Sequence, residues 1–133
     1  MSTHELLFGA AAVVMVVANV VLMAKPGTVM KGRWVVPAVI SLAFFIFSAV
    51  TIVTEGPTGF VTEHTHGFWG NQVWFDLLLA ASAMWFLVVP RAREVGMMLP
   101  FWLVLIVATG SIGVMAMLSR LMFLQDRRAT PGA

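Results

Sequence analysis

Four long apolar runs, separated by short stretches that collect the charges and turn residues, organise this chain. They cover about 6–24, 34–54, 72–89 and 98–123, and each approaches the ~20 apolar residues that a helix needs to cross the hydrocarbon of a bilayer. The strict alternation of a membrane β-barrel is absent. Pro37 and Pro100 fall in the first turns of the second and fourth runs, where a missing amide hydrogen costs least, and so support those boundaries. The pattern predicts an all-α integral membrane four-helix bundle, a single domain over 1–128, followed by a disordered tail at 129–133 that contains Pro131 and Gly132.

The first run reads as a retained helix rather than a cleaved secretory signal. Residues 1–5 carry no lysine or arginine, the run is longer than a signal core, and the bulky Leu22 shares the two cleavage-site positions with Ala24.

Composition sharpens the membrane reading. Of the 133 residues, 60% are hydrophobic and only 11% charged, with a mean hydropathy of +0.95, above the range of an ordinary soluble domain. The absence of cysteine excludes disulfides, thiolate metal sites and cysteine nucleophiles. The net charge of +2 arises from lysines and arginines beside the apolar runs, where they set topology, so no nucleic-acid partner is implied.

Those charges are unevenly spread. The connection at 25–33 holds Lys25, Lys31 and Arg33 around a Pro26-Gly27 turn, and the third connection holds Arg91 and Arg93, while 55–71 has neither lysine nor arginine. The positive-inside rule places the first and third connections on the cytoplasmic side of a bacterial inner membrane, and both termini on the far side. Arg127 and Arg128 in the tail oppose this, two residues against five, or three with Arg120. Trp34, Trp69, Trp74 and Trp102 lie near run ends, as interfacial belt residues do, whereas Trp85 lies deeper and either packs in the bundle or lines a ligand cavity.

Functional chemistry must come from the few polar residues that lipid penalises. Asn19 lies in the first run and is expected to hydrogen-bond between helices; Asp76 lies in the third and Arg120 late in the fourth. Helical spacing puts Asp76 on one face with Ala80 and Ala83, and Thr109, Gly113, Ala116 and Arg120 on another. Such small-residue faces predict that the third and fourth helices are neighbours, with Asp76 and Arg120 turned toward each other. The pair either neutralises itself as a structural element or leaves Asp76 as a proton donor or ligand contact; both alternatives stand.

Glu63, His64 and His66, followed by Asn71, cluster in the second connection. They suit acid-base chemistry at an outer mouth, or else form a solvated polar loop. With only His4 besides, no metal site is expected; no histidine lies within an apolar run to ligate haem, and no cofactor is expected.

The second half carries a recognisable pattern: Gly70-Asn-Gln-Val-Trp-Phe-Asp-Leu-Leu-Leu-Ala, Pro90-Arg-Ala-Arg-Glu-Val-Gly-Met, Thr109-Gly-Ser-Ile-Gly and Leu121-Met-Phe-Leu-Gln-Asp-Arg. It resembles the bacterial family called domain of unknown function 2834, short polytopic membrane proteins, over about half of the chain. That family is similar in outline to small integral-membrane terpene cyclases, in which embedded carboxylic acids protonate an isoprenoid. The resemblance implies Asp76 and Glu63 as acid candidates, and the four runs, fewer than in the fungal cyclases, imply that a dimer completes the cavity.

Three readings follow. The first is a protein that holds a hydrophobic, isoprenoid-like ligand in a cavity closed by Glu63, His64, His66, Asp76 and Arg120, with Asn71 and Trp85 as further ligand contacts, and acts as a cyclase-type enzyme if Asp76 or Glu63 protonates that ligand. The second is an accessory subunit of a larger respiratory or photosynthetic membrane complex. The third is a small dimeric proton-coupled exporter, for which Asp76 supplies the only carboxylate well inside a run. The expected partners are the bilayer, a hydrophobic small molecule, and a second copy or larger complex.

Overall fold

A computed structural model of the protein describes residues 3–24 and 32–129. Among the described residues there are six helices and no strand: α1 (Thr3–Ala24), α2 (Val35–Glu55), α3 (Gly59–Thr65), α4 (Gly67–Glu94), α5 (Leu99–Thr109) and α6 (Ser111–Arg128). The chain divides into two units, Met1–Met30 and Lys31–Ala133. Lys25, Lys31, the 26–27 turn and the tail from 130 onward, for which sequence-based expectations were stated, lie outside the described residues.

The first unit is α1. Its apolar stretch Glu5–Val20 is exposed along its length. Asn19 donates from Nδ2 to the Met15 carbonyl at 2.8 Å, a bond within its own helix.

In the second unit α2 and α6 run antiparallel. Ser119 Oγ donates to the Trp34 carbonyl at 2.8 Å and Ser41 Oγ to the Ile112 carbonyl at 2.9 Å, a register that climbs one helix as it descends the other. A separate core forms where α4, α5 and α6 meet, from Val88, Ala92, Met97, Ile106, Met117 and Leu121, with Met117 fully enclosed. The turn into this core ends α4 with Met97 N–H donating to the Ala92 carbonyl at 2.9 Å around Gly96 at φ 75°, a glycine helix stop. The third apolar run, expected to end at about 89, continues as helix through Pro90. Lacking an N–H, this proline gives up one hydrogen bond near the C-terminus, and α4 continues to Glu94.

The largest departure from the sequence-based expectation is in the fourth apolar run, which is not one helix over 98–123. It breaks at Gly110, whose φ of 59° is natural only to glycine, and α6 turns back along α5. The approach is close: a Cβ at Gly113 would lie 2.9 Å from Ile106 Cα and 2.8 Å from Thr109 Oγ1. α5, with 11 residues, spans about 16 Å, roughly half of the ~30 Å hydrocarbon thickness.

This hairpin returns the chain to the end where α5 began. Gly32 N–H donates to Asp126 Oδ2 at 2.9 Å, and the Arg128 guanidinium donates to the Glu94 carbonyl. Arg127 and Arg128 therefore join Arg33, Arg91 and Arg93 at one end of the unit. The expectation that the fourth run carries the tail to the opposite end is corrected accordingly.

Among the described residues, two helices, Val35–Glu55 and Gly67–Glu94, are long and apolar enough to cross a membrane, while Glu5–Val20 and Leu99–Thr109 are shorter apolar runs. The all-α class holds, but the four-span bundle does not follow among the described residues. Only 11% and 6% of the most apolar stretches of α2 and α4 are buried within the unit.

Candidate functional site

The polar centre expected from sequence is not assembled. α3 folds onto the first turns of α4, where a Cβ at Gly70 would stand 2.4 Å from the Glu63 carbonyl oxygen, so only glycine permits this contact. His64 is built into an aromatic trio, its ring centroid 4.5 Å from Phe60 and 5.5 Å from Trp74, with Phe60 and Trp74 edge to face at 5.3 Å. Its Nδ1 lies 2.7 Å from the Phe60 carbonyl, which can only accept, so Nδ1 donates. The segment read as a polar loop is thus a short helical cap held by aromatic packing. Glu63 and His66 are exposed on it, and Asn71 turns its amide back to the Gly67 carbonyl at 3.1 Å.

Asp76 lies two residues beyond Trp74, about 200° around the helix, and is exposed on the same side as Leu79, Ala83 and Phe86. It does not meet Arg120. The α4 residues that share a core with α6 are Val88 and Ala92, and Asp76 precedes Val88 by about 18 Å of helix, whereas Arg120 adjoins the core residue Leu121. Arg120 instead places its guanidinium 5.7 Å from the centre of the Phe123 ring. Trp85 packs against the core cluster. The small face of α6 is also used differently from the expectation: Gly113 meets α5, while Ala116 and Ser119 line the contact with α2. Among the described residues no three histidine, aspartate or glutamate side chains are placed to hold a metal ion.

Among the described residues, an open groove of about 490 Å³ lies between α2 and α6. Trp34, Ala38, Ser41, Leu42 and Phe45 form one wall, and Ile112, Ala116, Ser119, Arg120 and Phe123 the other. Ala38 and Ala116 keep it open because neither fills the space between the helices. The Ser41 and Ser119 hydroxyls are occupied by their interhelical bonds, which leaves the walls effectively apolar. Trp34 meets Phe123 edge to face at 5.2 Å, and Phe123 lies between the guanidinium groups of Arg120 and Arg127, at 5.7 and 5.6 Å from its centre. An apolar slot therefore ends in a cationic, aromatic mouth.

Of the expected site residues only Arg120 belongs to this groove. Trp34, Ser41, Ser119 and Phe123 were missed as a group, although a signal existed. Ala38 with Ser41 and Ala116 with Ser119 repeat one small-residue spacing of three on two apolar segments. Most other hydroxyls on the apolar helices bond their own backbone, as Thr51, Thr54, Ser82 and Thr109 do at 2.7–3.0 Å. Ser41 and Ser119 reach another helix.

Comparison with protein-family models, curated proteins and solved structures finds no match to this chain.

Proposed function

We propose that the protein is a membrane-embedded binding protein for a hydrophobic, isoprenoid-like small molecule, held in the α2–α6 groove with its polar end toward Arg120. The observation that carries this reading is the groove itself: its volume of about 490 Å³ lies in the range of small-molecule sites, its walls are apolar, and its one charged residue stands at the mouth. The exposed apolar surfaces of α2 and α4 support a lipid environment. The terpene-cyclase analogy draws no support from the geometry, because Asp76 and Glu63 both lie outside the groove. Binding, not ring closure, is the function proposed.

The test is mass spectrometry of small molecules retained by protein purified in mild detergent. Ala116→Phe, which fills the groove, is expected to lose the ligand, while Asp76→Asn keeps it. Retention by Ala116→Phe together with loss in Asp76→Asn overturns the assignment in favour of a site on α4.

One observation favours the accessory-subunit reading as well. Asp76 is exposed on an otherwise apolar helix face, a position that lipid penalises and a partner helix relieves. A stoichiometric protein in the same preparation, released by Asp76→Leu, is the outcome expected from that reading.

A further inference from the structure

We propose that the arginine end of the second unit is a docking surface for the headgroups of anionic phospholipids in the cytoplasmic leaflet, with the α5–α6 hairpin entering and leaving the membrane from that same face. The proposal rests on the membrane reading above and is independent of what the groove binds.

Three separate segments supply the charge. Arg33 precedes α2, Arg91 and Arg93 occupy the last turn of α4, and Arg127 and Arg128 end α6. All five are exposed, and the Gly32–Asp126 and Arg128–Glu94 hydrogen bonds hold their segments together. The acids among them are Glu94 and Asp126. The opposite end, from Glu55 through α3 to the start of α4, has no lysine or arginine and carries Glu55 and Glu63. Cationic segments stay on the cytoplasmic side, where anionic lipids attract them.

The hairpin makes this arrangement possible. α5 is too short to cross, and its turn is tied to both neighbours: Gly110 N–H donates to the Ile106 carbonyl at 2.7 Å, and the Ile112 carbonyl accepts from Ser41. Gly113, in the first turn of α6, is buried against α5, while Gly110 and Ser111 at the turn itself are exposed. The guanidinium fork matches the oxygens of a phosphodiester, and the Arg127 guanidinium lies 5.6 Å from the centre of the Phe123 ring. The cations are spread over exposed side chains rather than closed into a cradle, which fits a plane of headgroups better than one free phosphate ion.

The full chain in detergent is titrated with phosphatidylglycerol, phosphatidylcholine or inorganic phosphate and read by native mass spectrometry. Phosphatidylglycerol adducts are expected at a concentration at least about tenfold lower than phosphatidylcholine adducts. R91Q/R93Q/R127Q/R128Q is expected to remove that preference, R91K/R93K/R127K/R128K to keep much of it, and R120Q to leave it intact. Equal binding of the two lipids, a preference that survives the glutamine variant, or binding of inorganic phosphate without lipid preference overturns the proposal. The native chain has no cysteine, so single cysteines introduced at Thr58 and Ala129 report the sides directly. Labelling of Ala129→Cys from the cytoplasm and of Thr58→Cys from outside is expected, and Ala129→Cys labelled from outside overturns the re-entrant hairpin.

Discussion

At the arginine end of the second unit, α4, α5 and α6 close around Met117 and Leu121, and α6 reaches across to α2 through two serine hydrogen bonds. At the other end, a seven-residue helix rests on α4 through one aromatic trio and one glycine contact. The first end combines packing, the groove and the positive charge; the second holds the acids and histidines first noticed in the sequence. The difference teaches that titratable residues close together in a sequence are weak guides to a site. The binding geometry arose where small residues let helices approach, away from the polar cluster.

Substitutions can break or sharpen this contrast. The largest effect is expected at the hairpin, where Gly113→Ala forces a methyl against the Ile106 backbone and destabilises the second unit by about 2–3 kcal/mol. Thermal unfolding in detergent measures it, and an unchanged midpoint would show that α5 and α6 are not tightly apposed. Next is Gly70→Ala, whose methyl meets the Glu63 carbonyl, at a cost of about 1–2 kcal/mol confined to the α3 cap. Trp74 fluorescence should change while protease protection of the hairpin stays the same; a loss of both would mean that the two ends are coupled.

Ser41→Ala and Ser119→Ala are each expected to cost about 0.5–1 kcal/mol, and the pair together about the sum, because the two bonds are separate points of one helix contact. The smallest effect, within about 0.5 kcal/mol, is expected from Ser82→Ala, since that hydroxyl bonds only the Leu78 carbonyl of its own helix. A larger loss there would place α4 against an additional partner.

Much of the architecture was legible in the pattern of apolar runs: the helical class, the starts marked by Pro37 and Pro100, and the helix over most of 34–54. The break at Gly110 was not legible, because both flanking helices are apolar and a lone glycine inside an apolar run is also what an unbroken membrane helix carries. That miss propagated. The shared face of Thr109, Gly113, Ala116 and Arg120 was counted through the break, where helical periodicity resets, and so its members now face different neighbours. The Asp76–Arg120 pairing failed for the same reason, since it assumed a full crossing that would lift Arg120 to the level of Asp76. α3 escaped notice because its Thr, Glu and His residues read as loop, while the aromatic contacts that stabilise it lie across the turn on α4.

The turn at Gly110 also bears on how the chain can be extended. A helical pair that departs from one end of a unit and comes back to it leaves the direction of the preceding helices untouched. A reporter joined after α6 would then sit at the end of the unit that carries Arg91 and Arg93.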